Sequence, residues 1–228
     1  MTSLPRRLLA EFLGTLLLLA TVVGSGVMGM DLSDGNKGVA LLANAGATAG
    51  MLYVLIVLLG PVSGAHMNPA VSLVARLQGE LRSRELAGYV LAQVAGAAAG
   101  VVLAHLMFGL DVVQPGEHVR SGPSQWLSEA VATFGLLLTI LLGLRQRPAA
   151  IPVLVAAYIF AAYWFTASTS FANPAVTLAR SMTRTFAGIR PDDVPGFVAA
   201  QLAGAVLALV VARAFAPARI EGDGAQAS

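Results

Sequence analysis

Six long stretches of apolar residues alternate along this chain with short segments rich in polar residues, glycine or proline. A helix crosses the hydrocarbon core of a bilayer with about 20 apolar residues, and each stretch approaches or exceeds that length. The stretches cover residues 8–30, 39–60, 86–110, 126–144, 149–167 and 194–215. The pattern therefore predicts six membrane-spanning helices, of which the fifth is the shortest.

The composition agrees with this pattern and narrows the chemistry. Hydrophobic residues make up 57% of the chain and charged residues 11%, the net charge is +2, and there is no cysteine. A disulfide framework and a thiolate metal site are therefore both excluded. We predict an integral membrane protein whose partner is the lipid bilayer, with no metal, cofactor or nucleic acid implied.

The second half of the chain repeats the first. Three segments recur in the same order, with 10–18 matching 128–136, 68–73 matching 173–178, and 88–97 matching 196–205. Each repeat holds three spans, an odd number, so the second is inserted upside down relative to the first. We expect one membrane domain built from repeats at about 8–110 and 125–215. Residues 111–124 form the connecting loop, and residues 216–228 form a polar cytoplasmic tail.

Basic residues indicate the orientation of the chain in a cell membrane. Most arginines gather on one side of the predicted spans, at positions 6, 7, 82, 84, 145, 147, 213 and 219, whereas Arg180, Arg184 and Arg190 fall on the other. Cytoplasmic segments carry the excess of Lys and Arg. Both termini are therefore predicted to be cytoplasmic, and we expect a multi-pass protein of a bacterial inner membrane.

Two copies of the tripeptide Asn-Pro-Ala occupy matching places in the repeats, at residues 68–70 and 173–175. Asparagine caps helices and proline favours the first helical position, so each copy predicts a helix that starts at membrane depth. The segment 60–67 before the first copy is too rich in helix breakers to be helical and too apolar for an exposed loop. Irregular backbone at this depth is tolerated only where protein buries it or water lines it.

These features predict an all-α integral membrane fold with six transmembrane helices and two re-entrant half-helices in an inverted three-plus-three repeat. The half-helices should cover about 69–78 and 174–183 and meet head to head. Because each helix start carries about half a positive elementary charge, a cation at their meeting point is repelled. Asn68 and Asn173 offer donors there to an oxygen of a passing molecule. A narrow tube of this kind suits small neutral molecules, so we predict passive conduction of uncharged solutes.

The chain resembles the major intrinsic proteins, the superfamily of aquaporins and aquaglyceroporins, over residues 8–215. The resemblance implies one pore per protomer and a homotetramer. It also implies that glutamates resembling Glu11 and Glu129 accept hydrogen bonds from the re-entrant loops, and that a histidine resembling His66 precedes the first tripeptide. For His66, a hydrogen bond that fixes the loop and a contact with the pore stay open. His105 and His118 are interpreted as surface histidines.

The predicted outer constriction departs from the family pattern. Members usually carry arginine directly after the second tripeptide, where this chain has Val176. Counting back from Asn68 and Asn173 without gaps puts Thr48, Ala161 and Ser170 at the other three positions of the selectivity filter. Water channels usually have an aromatic ring at the position of Thr48 and a histidine at the position of Ala161. We therefore expect a filter without ring, imidazole or guanidinium, wider and less polar than the standard types.

Such a filter resembles that of bacterial aquaglyceroporins linked to arsenic resistance. The resemblance implies that glycerol-like polyols, arsenite trihydroxide and methylated arsenicals pass, with some water. Arg180 lies one helical turn after Val176 on nearly the same face, and we hypothesise that it restores a positive outer vestibule.

Other functions remain open at this stage. A water-selective aquaporin differs only in the width and polarity of the filter. A proton- or ion-coupled secondary transporter also uses inverted repeats and broken helices, but it needs an ion site or proton relay near the midplane. Only the two symmetry-related glutamates are available for that. We call the segments that lead into the two tripeptides, 60–67 and 166–172, the dips. An enzyme is not expected, because the chain has no Ser/His/Asp set or metal-binding spacing near the dips.

Overall fold

The computed structural model describes residues 2–215 and consists of helices connected by loops. The helices are α1 (Leu4–Leu32), α2 (Lys37–Ser63), α3 (Pro69–Leu77), α4 (Ser83–Met107), α5 (Pro123–Gln146), α6 (Ile151–Phe165), α7 (Pro174–Arg180) and α8 (Val194–Ala214). Single 3₁₀ turns, Pro148–Ala150 and Pro191–Asp193, precede α6 and α8. Six helices are long and apolar enough to cross a membrane. The predicted all-α membrane fold is confirmed. The predicted tail, 216–228, lies outside the described residues.

The short helices α3 and α7 begin at the prolines of the two tripeptides, as expected. Their lengths differ from the prediction, since α7 ends at Arg180, three residues before the expected position 183. The segment before α3 is also shorter than predicted. Helix α2 passes through Pro61 and ends at Ser63, and Gly64 closes it in the left-handed conformation (φ 89°), donating its N–H to the Gly60 carbonyl at 2.9 Å. A proline removes one helical donor, but the residues after it still find acceptors, so the helix continues.

The same packing occurs in both halves. Helix α1 packs on α4 as α5 packs on α8. A Cβ atom added to Gly96 would collide with the backbone of Phe12 in α1, and one added to Gly204 would collide with the backbone of Ala130 in α5. Glycine at these positions lets the paired helix backbones approach closely. The half-helices α3 and α7 each pack against α4 of one pair and α8 of the other.

The α4–α5 loop, residues 108–122, lies against the segment that follows α7. The Gly116 N–H donates to the Ser181 carbonyl at 2.8 Å, and the Arg190 N–H donates to the His118 carbonyl at 2.8 Å. His105 at the end of α4 is fully buried, with Nε2 2.8 Å from the Thr183 hydroxyl. The expectation of a surface histidine is wrong there, because this loop and the segment after α7 cover the end of α4.

Candidate pore and its constriction

The tips of the two half-helices contact each other through their capping asparagines. In Asn68, Oδ1 accepts the Ala70 N–H at 2.9 Å, while Nδ2 donates to the Ala172 carbonyl at 2.7 Å. In Asn173, Oδ1 accepts the N–H groups of the first turn of α7, and Nδ2 donates to the Met67 carbonyl at 2.7 Å. Two tripeptides far apart in sequence therefore form one reciprocal contact.

Glu11 braces the first dip from α1. Its carboxylate accepts the backbone N–H groups of His66 at 2.9 Å and Met67 at 2.6 Å, the Ser63 hydroxyl at 2.7 Å, and Gln93 Nε2 at 2.8 Å. A buried carboxylate is stable when several donors satisfy it in this way.

Glu129 has the equivalent position in the second repeat. It accepts the backbone N–H groups of Phe171 and Ala172, both at 2.9 Å, and Gln201 Nε2 at 2.6 Å. Gln201 also donates to the Thr177 hydroxyl at 2.8 Å, and so ties the brace to α7. Both glutamates are fully buried, and neither belongs to the residues that line the cavity described next.

The dips hold several residues other than glycine in the left-handed conformation. Ala65 and Met67 have φ values of 47° and 48°, and Ser170 and Ala172 have values of 51° and 48°. Each such residue costs about 1–3 kcal/mol unless its surroundings impose the conformation. Here the glutamates hold neighbouring N–H groups, and the carbonyls of Met67 and Ala172 meet the opposite asparagine. The strain is thus maintained where the two dips meet.

A cavity of about 290 Å³ runs past these tips and is lined by both repeats. The segments before the half-helices and the half-helices themselves contribute many of its polar residues, including His66, Asn68, Ser170 and Asn173, whereas the long helices contribute mostly aliphatic side chains. His66 lines the cavity and is also 3.0 Å from the Ser72 hydroxyl through Nδ1. It therefore contacts the pore and fixes the loop, the two roles that the sequence left open.

Three of the four predicted filter residues, Thr48, Ser170 and Val176, line this cavity. Ala161 does not line it: it is exposed on the outside of α6. The α6 residues that line the cavity are Ile151, Val155, Ile159 and Tyr163, at the spacing of one helix face. Position 161 lies between them in sequence and points away from that face, so the ungapped count was wrong there.

Tyr163 is the residue that the count missed. It is buried, lines the cavity, and places its hydroxyl 3.3 Å from that of Thr48. The cavity wall beside Thr48 therefore includes an aromatic ring, whereas we expected a filter without one. The helical periodicity from Val155 and Ile159 is a sequence signal that could have identified it.

Arg180 also lines the cavity, so a guanidinium is present after all. It is 2% exposed, and its Nε donates to the Ala187 carbonyl. Its guanidinium carbon lies 3.4 Å from the centre of the Phe171 ring. Nη1 of Arg180 and the Ser170 hydroxyl are buried without a hydrogen-bond partner among residues 2–215.

Comparison with known proteins agrees with this geometry. Residues 1–166 match the family described as major intrinsic protein. The chain belongs to the major intrinsic protein family. This major intrinsic protein is 61% identical over 211 residues to the aquaglyceroporin AqpS of Rhizobium meliloti, a match that covers 92% of this chain and 90% of the relative. It is therefore a multi-pass membrane channel rather than an enzyme.

More distant proteins show the same relationship. A probable glycerol uptake facilitator protein of Thermotoga maritima is 31% identical over 150 residues, covering 58% of this chain and 62% of that protein. The X-ray structure of the aquaglyceroporin from Plasmodium falciparum has a TM-score of 0.71 at 19% identity, over 92% of this chain and 95% of that one. The structural match supports the fold of this major intrinsic protein.

Proposed function

We propose that this protein is a passive channel for small uncharged solutes, which include glycerol-like polyols, arsenite trihydroxide and methylated arsenicals, together with some water. The observation that carries the proposal is the reciprocal contact of Asn68 and Asn173 in the wall of a cavity lined by both repeats. The similarity to an aquaglyceroporin and to a probable glycerol uptake facilitator supports polyols as solutes of this channel.

The residues predicted to form the constriction, together with Tyr163, combine hydroxyl groups with an apolar surface. They therefore suit solutes that carry hydroxyls on one side and apolar groups on the other. Thr48 and Ser170 offer hydroxyls, while Val176 and the ring of Tyr163 offer an apolar surface. Arsenite trihydroxide resembles a small polyol in its size and hydroxyls. Valine in place of the usual filter arginine leaves room for a methyl group, so methylated species fit the same path.

Exclusion of cations follows from the charges around this path. The half-helix starts and Arg180 are positive, and both buried glutamates are occupied by hydrogen bonds from the dips. A dehydrated cation meets few compensating groups there. The same lack of a free midplane carboxylate disfavours the alternative of a proton-coupled transporter.

We further place the protein in a bacterial inner membrane as a homotetramer with both termini cytoplasmic. Small residues on the outer face of α2, at Ala43, Gly46 and Gly50, are exposed at helical spacing, and such faces permit close helix packing between subunits. Crosslinking of the protein in intact membranes tests the subunit number, and labelling of single cysteines introduced near each terminus tests the orientation.

The deciding experiment is stopped-flow permeability of proteoliposomes to water, glycerol, arsenite and a methylated arsenical. The proposal expects solute flux above that of empty vesicles for all four, with no dependence on an imposed pH gradient. Flux of water alone would favour the water-selective alternative. Acceleration by a proton gradient would favour the coupled transporter.

A further inference from the structure

Two arginines that form no ion pair within residues 2–215 lie over Phe171, and one of them, Arg180, lines the cavity together with Phe171. The Arg180 guanidinium lies over the Phe171 ring. Arg120 of the α4–α5 loop lies over the same ring, with its guanidinium carbon 5.0 Å from the ring centre. Within residues 2–215 the ion pairs involve Arg7, Arg184 and Arg190, and neither of these two arginines. We call Arg120, Phe171 and Arg180 the arginine mouth.

The acidic groups near the mouth are already engaged. Asp193 accepts the backbone N–H of Arg120 at 2.7 Å and the Arg190 side chain at 2.8 Å. Glu129 accepts two backbone N–H groups of the second dip. The side chain of Arg120 donates only to carbonyls, those of Gly188 at 3.0 Å and Ser168 at 3.1 Å. Within residues 2–215 neither arginine of the mouth forms an ion pair, and the charge of Glu129 reaches both of them only from a distance.

Two of the buried polar atoms without a partner in residues 2–215 belong to residues that line the cavity. Among buried side-chain atoms without a partner in residues 2–215, those on cavity-lining residues are Nη1 of Arg180 and Oγ of Ser170. A buried polar group without a partner is costly, and a buried unpaired charge more so. Nη1 of Arg180 and the Ser170 hydroxyl would therefore be stabilised by a ligand that accepts or donates a hydrogen bond in this cavity.

His118 in the neighbouring loop adds little to the positive charge at neutral pH. Its partial burial and the charges of Arg120, Lys37 and Arg180 lower the pKa of its imidazole below the ordinary value of 6.5. The histidine is therefore mainly neutral at pH 7, and the charge of the mouth rests on its two arginines.

We propose that the arginine mouth binds a small oxoanion, of the sulfate, phosphate or carboxylate class, and that the bound anion blocks the passage of neutral solutes. Guanidinium groups prefer ligands with several acceptor oxygens in one plane or tetrahedron. One oxygen accepts from Nη1 of Arg180, and another accepts from the Ser170 hydroxyl. The proposal rests on the proposed function in one respect, namely that solutes pass through this cavity.

The bound anion blocks the pore because it has no path onward. Past the mouth the part of the cavity wall that the long helices contribute is largely aliphatic, with residues such as Ile159, Val155 and Leu137, which cannot replace the hydration of a charged group. A neutral polyol loses far less on entering this section. The same site therefore holds an oxoanion and slows the solutes that have to pass it.

The test measures glycerol flux into phosphatidylcholine proteoliposomes at pH 7, with sulfate or chloride at equal ionic strength and osmolarity. Glycerol flux scales with the fraction of channels that hold no anion. Sulfate at a concentration of about ten times its dissociation constant should therefore slow glycerol flux about tenfold relative to chloride. Arg180→Gln should abolish the difference between the two salts, and Arg180→Lys should retain a weaker one. Arg120→Gln should raise the sulfate concentration needed for half inhibition.

Arg184→Gln is the matched control, because this arginine follows the same half-helix but is 55% exposed and pairs with Glu117 at 3.1 Å. It should respond to sulfate as the natural protein does. If sulfate and chloride give equal flux in the natural protein, or if Arg180→Gln and Arg184→Gln are inhibited alike, the proposal is wrong. Size-exclusion profiles verify that each variant folds. If Arg180→Gln does not fold, the responses of Arg180→Lys and Arg120→Gln to sulfate test the proposal instead.

A direct titration separates this proposal from the proposed function. Calorimetric titration of sulfate into detergent-purified protein needs no solute flux, and should give saturable binding that Arg180→Gln loses and Arg184→Gln keeps. Binding without glycerol flux in chloride would support the anion site and contradict the polyol channel. Glycerol flux without sulfate binding would contradict the anion site alone.

Discussion

At the scale of single residues, the selectivity of the channel depends on which side chains reach the cavity. Counting from the tripeptides identified Thr48, Ser170 and Val176, which line it, but also Ala161, which faces outward. The count ignored that a helix presents only one face to the pore. Tyr163 occupies that face instead and brings its hydroxyl close to Thr48.

Val176→Arg should narrow the constriction and suppress the larger solutes before water. The added side chain projects into a cavity of about 290 Å³, and solutes with several heavy atoms lose their clearance first. Stopped-flow measurements should show glycerol flux reduced more strongly than water flux. Equal reduction of both fluxes would show that position 176 lies outside the constriction.

The control for this substitution is Ala161→Val. Because Ala161 is exposed on the outside of α6, a bulkier residue there should leave both the glycerol and the water flux unchanged. A change in the glycerol-to-water ratio would instead restore Ala161 to the filter.

Glu129→Gln should destabilise the protein without a direct effect on the solute path. One carboxylate oxygen becomes an NH₂ group that faces the N–H donors of Phe171 or Ala172, so a buried donor loses its acceptor. The expected loss is about 1–3 kcal/mol, more if the charge itself is needed. Thermal unfolding in detergent measures it, and Glu11→Gln should behave alike because the two braces are equivalent.

At the scale of elements, the helix starts were more predictable than the helix ends. Both half-helices begin at the expected proline, because an asparagine cap followed by proline is a local signal. Helix α2 continues past Pro61 to Ser63, and α7 stops at Arg180. The end of a helix depends on which acceptors and neighbours remain, so Gly64 and the α4–α5 loop decided these two ends.

Gly96→Ala should disturb the contact of α1 with α4. The new methyl group would collide with the backbone of Phe12, and overpacking of this kind costs about 1–3 kcal/mol. Gly204→Ala in the second repeat should have a similar effect. The midpoint of thermal unfolding measures both, with Gly60→Ala as the control, since a Cβ atom there meets no other group within 4 Å. Three equal midpoints would contradict this account of the packing.

At the scale of the whole molecule, transport should be passive. The two intramembrane glutamates are each held by at least three hydrogen-bond donors of their own repeat, which leaves no free carboxylate for a proton relay. Glycerol flux in proteoliposomes should therefore be the same with and without a pH gradient, and a pH-sensitive dye should report no accompanying proton movement. Flux that doubles under an inward proton gradient would contradict a passive channel.

The sequence by itself determined the six spans, the repeat and the two helix starts, because hydrophobic length, internal similarity and capping are local properties. The contact of Asn68 with the Ala172 carbonyl, and of Asn173 with the Met67 carbonyl, followed from inversion of the repeats. The sequence also put Arg180 on nearly the same helix face as Val176, and both line the cavity. Only the tertiary structure decided that Tyr163 reaches the cavity and that Arg120 and Arg180 lie over the same Phe171 ring. The reason is physical: which face of a helix meets a pore, and where a loop from another helix pair comes to rest, depend on long-range packing.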